Sequence, residues 1–150
     1  MSDSDLIKLY SGRILELSAD IPYAGRLPTP QGSARRRSPL CGSSVTVDVV
    51  MDGARVASFA QEVKACALGQ AAASVMGRAL AGRTRAEIET GRDALRAMLK
   101  DAGPVPASPW EEFEVLLPAR DYRNRHASIL LAMEAAAEAV AQAEGAAAAI

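Results

Sequence analysis

The chain has 150 residues, of which 49% are hydrophobic and 23% charged, with a formal net charge of −1. This length predicts a single domain over residues 1–150 that buries roughly 68–70% of the surface of the unfolded chain. A net charge so close to zero gives no basic field that would favour nucleic acid or an acidic membrane. The two cysteines are too few for a disulfide framework, and the acidic start is unlike a signal peptide, so we expect a cytoplasmic protein with reduced thiols.

The first 34 residues read as one helix followed by a loop. Apolar side chains recur at helical spacing between Leu6 and Leu17, which predicts a helix over residues 4–18. Residues 20–34 carry three prolines and two glycines and are predicted to form a loop. The basic run Arg35–Arg37 that follows has two interpretations, a solvated edge strand or loop and a docking patch.

Residues 44–64 have the pattern of a β-hairpin. Residues 44–51 alternate between apolar and polar side chains, a second strand is predicted over residues 55–64, and the Asp-Gly pair between them is a strong turn signal. A two-residue loop would place Phe59 opposite Thr46, on the polar face. We expect the three-residue loop Asp52–Ala54, because it pairs Phe59 with Val47 and buries the large side chain.

The remainder of the chain is predicted to be helical, apart from one loop. The expected elements are a helix of small residues over 66–81, a second helix over 84–100, a loop of Pro and Gly, a short helix or turn over 110–117, and a last helix from about 122 to 143. Thr84 and Glu87 have the spacing of a capping box. Residues 145–150 are expected to fray.

The C-terminal segment is apolar enough to raise the question of a membrane span. It is interrupted by Glu134, Glu138 and Glu144, and carboxylates are costly at the middle of a bilayer. We therefore expect an amphipathic helix and no membrane association. The elements together predict an α+β fold, an antiparallel sheet of about three strands with helices packed on one side.

The two cysteines lie 25 residues apart, on either side of the predicted hairpin. In the three-residue register Cys41 falls across from Ala65, and in the two-residue register across from Lys64, so either pairing brings Cys41 beside Cys66. Cys66 also begins a predicted helix, where the dipole and free N–H groups favour the thiolate. A pair of buried thiols or a disulfide is the alternative.

His126 is the only histidine of the chain. At 3.6 residues per turn it shares the apolar face of the last helix with Leu130, Met133 and Val140, so the imidazole is expected to point toward the core. Two interpretations follow, a metal ligand beside the cysteines and a core histidine bonded to a backbone carbonyl.

These segments resemble a known family. The stretch "SPLCGSSVTVDV", the later "EVKACALGQAAASVM" and the distant "RHASILLAMEAAAEAV" are similar to the iron–sulfur cluster assembly scaffolds of the type shared by IscU and the N-terminal domain of NifU. The similarity runs from the first helix to the last. It implies that Cys41 and Cys66 are the first two ligand cysteines and that His126 is the histidine next to the third.

Two positions depart from the family pattern. Ser43 stands where the family has an aspartate, and Ala127 stands where it has the third cysteine. The ligand set implied by the resemblance is therefore Cys41, Cys66 and His126, with Ser43 as the remaining candidate.

The resemblance implies a scaffold or carrier that binds iron or an iron–sulfur cluster as a monomer or homodimer. Its partners would be a cysteine desulfurase and recipient apo iron–sulfur proteins. The long connection from Cys66 to His126 resembles the SUF-type branch, whose members bind zinc and accept sulfur, so a Zn²⁺-bound sulfur acceptor is one alternative. A metal-free interaction module is the other. The chaperone-docking motif L-P-P-V-K is absent, and residues 116–120 read "LLPAR". Beyond a sulfur relay, no enzyme site is predicted, since G-x-S-x-G and phosphate-binding glycine motifs are absent.

Overall fold

The computed structural model describes residues 10–39 and 42–148. The elements, in chain order, are α1 (Gly12–Ala19), β1 (Gly32–Arg37), β2 (Ser44–Asp52), β3 (Arg55–Lys64), α2 (Ala67–Ala79), α3 (Arg85–Lys100), a 3-10 helix (Glu111–Asp121) and α4 (Arg123–Ala148). The strands form one antiparallel sheet in the order β1-β2-β3. Helix α4 packs on β1 and β2, and α2 and α3 pack on α4. The predicted α+β fold with a three-stranded sheet is confirmed.

The core lies between the sheet and the helices. The side chains of Val45, Val47 and Val49 point from β2 into it and are fully buried. Close packing against α4 requires small residues on both sides. A Cβ at Gly32 would collide with the carbonyl oxygen of Ala139 and lie 2.9 Å from the backbone nitrogen of Ala143. The absence of a side chain at Gly32 therefore lets β1 approach the helix backbone directly.

Several predicted boundaries are confirmed. Strand β3 occupies the predicted residues 55–64, and the capping box at the start of α3 is present. There the hydroxyl of Thr84 accepts from the N–H of Glu87 at 3.2 Å, while the N–H of Thr84 donates to the Glu87 carboxylate at 3.0 Å. Among the described residues, no helix is long and apolar enough to span a membrane.

Three boundary predictions are wrong. Residues 32–34, predicted as loop, belong to β1. They are extended because they pair with β2, and no local sequence pattern indicates this pairing. The short helix expected over 110–117 continues to Asp121 as a 3-10 helix. Helix α4 continues to Ala148, beyond the predicted end near 143. The first part of the helix predicted over residues 4–18 lies outside the described residues.

The predicted hairpin register is also wrong. Asp52 pairs with Arg55 across a two-residue loop, and a bulge then leaves Ala57 as an extra residue on β3, so that Phe59 pairs with Val49 rather than Val47. Gly53 has φ +59°, a conformation that glycine adopts without strain. Phe59 is 3% exposed, so the burial that motivated the prediction is achieved through the bulge.

The polar face of β2, expected to be solvated, is buried as well. Asp48 is fully buried, and its carboxylate receives two hydrogen bonds from Arg26 at 2.7 and 3.1 Å, one from the Ser33 hydroxyl at 2.6 Å and one from the N–H of Leu27 at 3.0 Å. Burial by itself raises the pKa of Asp48, but these hydrogen bonds and the charge of Arg26 outweigh it and hold the pKa below its ordinary value. The carboxylate thereby fastens the segment before β1 onto the sheet.

We expect Asp48→Asn to lower the free energy of unfolding at pH 7 by about 1.5–3 kcal/mol, the typical value of hydrogen bonds to a charged group. Because the pKa of Asp48 is lower in the folded state than in the unfolded state, its carboxylate stabilises the fold above the unfolded pKa of about 3.9. This stabilisation is lost as the pH falls through the pKa of the folded state. The deficit of the variant, measured by urea unfolding, should therefore shrink below about pH 4. Asp52→Asn, at the exposed end of the same strand, is the control; an equal loss there, or a pH-independent deficit, would contradict this account.

Candidate metal centre

The candidate site lies at the end of the sheet where β1 connects to β2. The N–H of Ser38 donates to the carbonyl of Ser43 at 2.8 Å, and the N–H of Gly42 donates to the carbonyl of Ser38 at 3.1 Å. These bonds join the described ends of the connection, residues 38–39 and 42–43, at this end of the ladder. Cys41 belongs to the connection by sequence but lies outside the described residues, and the register from which its position was predicted is wrong. Its role as a ligand stays a prediction.

Cys66 is the N-cap residue of α2, one residue earlier than the first helical residue and next to the end of β3. Its carbonyl accepts from the N–H of Gln70 at 2.9 Å, while its side chain makes no capping hydrogen bond. The residue is half-buried. The thiol therefore lies at the positive end of the helix dipole, as the sequence predicted, and forms no capping hydrogen bond.

Ser128 connects Cys66 to the loop before β2. Its Oγ lies 3.5 Å from the Sγ of Cys66 and donates a hydrogen bond to the Oγ of Ser43 at 3.2 Å. Ser43 and Ser128 are 4% and 1% exposed, so these hydroxyls are removed from bulk water. Ser128 can accept from a Cys66 thiol while it donates to Ser43, and it can turn its proton toward sulfur once the thiol is ionised.

His126 is buried, as predicted, and makes the backbone contacts of the second interpretation. Its Nε2 lies 3.0 Å from the carbonyl oxygens of both Ala119 and Arg120, at the end of the 3-10 helix. Because both partners are acceptors, Nε2 is a donor here, and in a neutral ring with this tautomer Nδ1 would be the nitrogen with a lone pair. His126 and Ser128 are separated by about 200° around α4, so the two side chains leave the helix in different directions.

The structure thus brings together Cys66, Ser43 and Ser128, of which Ser128 was not a predicted site residue. Across residues 10–39 and 42–148, no three His, Cys, Asp or Glu side chains lie close enough to hold a metal ion. Convergence of Cys41, Cys66 and His126 on one ion stays a prediction. The signal that could have identified Ser128 is a hydroxyl at the start of an otherwise apolar helix face.

Gly69 sets the distance between Ser128 and α2. A Cβ at Gly69 would lie 2.6 Å from the Oγ of Ser128 and 2.8 Å from the Cβ of Ala65, closer than real contacts allow. The absence of a side chain at Gly69 is therefore what lets the first turns of α2 and α4 meet beside Cys66.

We expect Gly69→Ala to lower the free energy of unfolding by about 1–3 kcal/mol through overpacking, despite the better helix propensity of alanine. Thermal or urea unfolding measures this loss. Gly145→Ala is the matched control, because Gly145 is also helical and nothing lies within 4 Å of its added Cβ. The control should be neutral or stabilising by up to about 1 kcal/mol. Equal effects of the two substitutions would contradict the close contact.

Solved structures share this fold, and three of them are described below. The N-terminal part of a nitrogen-fixing NifU-like protein from Brucella abortus shares 43% sequence identity, with a TM-score of 0.91 over 94% of this chain and 98% of that one. A protein of Fervidobacterium islandicum AW-1, described as an iron–sulfur cluster assembly scaffold for the SUF system, has 20% identity and a TM-score of 0.79 over 89% and 98%. A protein described only as hypothetical has 23% identity and a TM-score of 0.79 over 90% and 98%.

No family model and no curated protein matches the chain. The two structures below 25% identity establish only the fold, an antiparallel sheet covered by helices. The Brucella structure is similar in sequence as well, over nearly the whole of both chains. The chain therefore belongs to the IscU and NifU N-terminal domain family.

Proposed function

We propose that this protein is a scaffold or carrier in iron–sulfur cluster assembly, which holds iron or a cluster through Cys41, Cys66 and His126. The observation that carries the proposal is its 43% identity to a NifU-like N-terminal domain over almost the full length of both chains. The half-buried thiol of Cys66 at the start of α2 supports it, because a helix N-terminus stabilises the thiolate that iron requires.

The cargo would need donors beyond those of one chain. Iron–sulfur clusters are usually held by four thiolates, with histidine replacing two of them in Rieske centres. This chain has two cysteines and one histidine, with Ser43 and Ala127 at the positions of further family ligands. We infer that a cluster on this protein is either shared by two chains or completed by an external thiol. A cluster held in this way would be bound weakly by each chain, which suits a protein that must release it.

The assignment of Cys41 and His126 as ligands rests on the resemblance to the scaffold family, and chain connectivity supports the assignment of Cys41. Cys41 precedes Ser43 by two residues, and two residues of chain span at most about 7 Å. Ser43 in turn contacts Ser128, which contacts Cys66. For His126, Nδ1 is the proposed ligand atom, since Nε2 donates to backbone carbonyls.

A zinc-bound sulfur acceptor is the second candidate. Two cysteines and one histidine with an open fourth position form the donor set of a catalytic zinc site. A thiolate released from zinc could attack the outer sulfur of a persulfide on a cysteine desulfurase, the partner that we propose in either case. The attack would form a new persulfide on this chain and release the desulfurase cysteine as a thiolate. Recipient apo iron–sulfur proteins would be the second partner of a scaffold, and the cytoplasm, where thiols stay reduced, the compartment.

Anaerobic purification followed by elemental analysis and reconstitution tests the proposal. The protein should take up iron and sulfide into a chromophore with sulfide-to-iron charge-transfer absorption, and should pass the cluster to an apo-ferredoxin. Stoichiometric zinc with persulfide uptake and no transferable cluster would favour the second candidate. A protein that binds neither iron nor zinc under these conditions would overturn both and leave a metal-free interaction module.

A further inference from the structure

The outer face of the sheet carries a basic patch, defined by Arg35 and Arg37 on β1 and Lys64 on β3. Arg37 and Lys64 are the two cross-strand neighbours of Ser44, and Arg35 is the neighbour of Thr46. Opposed residues of antiparallel strands share a face, so all three cations point away from the helices. All three are exposed. The patch lies at the end of the sheet that holds Ser43 and Cys66.

The charges of this patch are not neutralised locally. In the described parts of the chain, no carboxylate oxygen lies within 4.0 Å of the cationic groups of Arg35, Arg37 or Lys64. The acidic residues of the same face are Glu62, two strands from Arg35, and Asp48, whose charge is balanced by Arg26. Arg36, which points to the helix side, is paired with Glu138 at 3.7 Å. The outer face therefore carries a net positive charge beside the candidate metal centre.

The same arginines lie on an edge strand of the sheet. The N–H of Ser38 bonds the carbonyl of Ser43 in register with β2. Because bonding alternates along an antiparallel strand, the N–H and C=O groups of Ser33, Arg35 and Arg37 point outward from the sheet. The outward N–H of Ser33 is capped by the side chain of Gln142 at 3.3 Å. Within the described residues, no comparable cap engages Arg35 or Arg37.

The opposite edge of the sheet is covered. On β3, Gln61 forms backbone hydrogen bonds with Tyr23 and Gly25 at 2.9 and 2.8 Å. Val56 forms backbone hydrogen bonds with Arg83 and Gly82 at 3.0 and 2.8 Å. The chain thus blocks one edge with its own loops, while no described residue bonds the outward donors and acceptors at the basic end of β1.

We propose that β1 binds an extended acidic segment of a partner protein, which adds to the sheet as a fourth strand beside the candidate metal centre. Main-chain hydrogen bonds to Arg35 and Arg37 would supply affinity, and alternate carboxylates facing the basic patch would supply specificity. A second copy of this chain fits poorly, because antiparallel pairing of two β1 strands places arginines opposite arginines. This docking does not depend on which cargo the protein carries.

A synthetic peptide tests the proposal on the full chain. The probe is an acetylated and amidated ten-residue peptide of alternating Glu and Val, and the control peptide has Lys in place of Glu. Calorimetry should detect binding of the acidic peptide only, weakened by salt. Amide hydrogen exchange should slow at Arg35 and Arg37 when the peptide is bound. Slow exchange of both amides without peptide would mean that the edge is already occupied, for example by residues 1–9, and would overturn the proposal.

Two variants and one control separate strand addition from charge attraction. Arg35→Glu combined with Arg37→Glu should weaken binding at least tenfold, and Arg36→Gln, on the other face, should change it less than twofold. Arg35→Pro removes an outward N–H and keeps the ladder to β2 intact, so it should also weaken binding at least tenfold. Unchanged binding by a folded Arg35→Pro protein overturns strand addition. Should that variant fail to fold, unchanged binding by the glutamate variant overturns the proposal on its own.

Discussion

Replacing Cys66 with alanine should reduce the iron bound after anaerobic reconstitution at least tenfold. Cys66 is the one described thiol, and it stands half-buried at the start of α2 with its Sγ facing Ser128. Iron and zinc bind the thiolate, so the loss of this sulfur removes the donor around which the proposed site is built. Metal binding by the unaltered protein should also strengthen with rising pH, because thiols release protons when they bind a metal. Iron and sulfide analysis with visible absorption measures both effects.

Cys66→Ser is the matched control for the fold. Serine is a preferred N-cap residue, so the variant should unfold at the same temperature as the unaltered protein or slightly higher. It should nevertheless lose loading as completely as Cys66→Ala. Loading by Cys66→Ser equal to that of the unaltered protein would show that the sulfur at this position is not a ligand, and the proposed site would fail with it.

Restoring the two divergent positions should have the opposite effect. We expect Ser43→Asp combined with Ala127→Cys to raise zinc affinity or cluster loading at least tenfold. The Oγ of Ser43 lies 3.2 Å from the Oγ of Ser128, which contacts Cys66, so a carboxylate at residue 43 would enter the same site. Residue 127 precedes Ser128 on α4 and is half-buried, and a thiol there would add the missing soft donor.

The stability of the double variant should also depend on bound metal. Ser43 is 4% exposed, so an unpaired carboxylate in its place would destabilise the metal-free protein. Bound zinc should restore the stability in proportion to its concentration above the dissociation constant. Titration of the unfolding temperature with zinc measures this, and each single variant serves as a control. Tight metal binding by the unaltered protein, unchanged by both substitutions, would mean that the remaining ligands come from elsewhere.

Local signals predicted much of the fold. The capping box of α3 is encoded by Thr84 and Glu87 alone, and the limits of β3 follow from composition and turn residues. The hairpin register could not be predicted, because the bulge at Ala57 has no local signature. The burial of Asp48 could not be predicted either. The segment that covers it, at Arg26 and Leu27, precedes it by more than 20 residues and meets it only in the folded chain.

The candidate site was likewise predictable only where a local sequence pattern defines it. Cys66 was placed at a helix start by sequence pattern, and it is the N-cap of α2. Ser128 was missed because its partners lie 62 and 85 residues away in the chain. The state of His126 depends on two backbone carbonyls at the end of a 3-10 helix, and side-chain patterns carry no information about such acceptors.

The alanine-rich face of α4 has a thermodynamic consequence. The buried alanines of this helix are Ala132, Ala135, Ala136, Ala137, Ala139 and Ala143. Alanine has no side-chain rotamers to lose on folding, whereas each buried leucine loses about 0.5–1 kcal/mol of rotational freedom. The long helix that carries Ser128 and His126 is therefore ordered with little side-chain entropy loss, and it gains correspondingly little from each residue that it buries. Its attachment to the sheet depends on many short-range dispersion contacts, so enlarging one of these alanines should push the packed atoms around it apart and destabilise the fold.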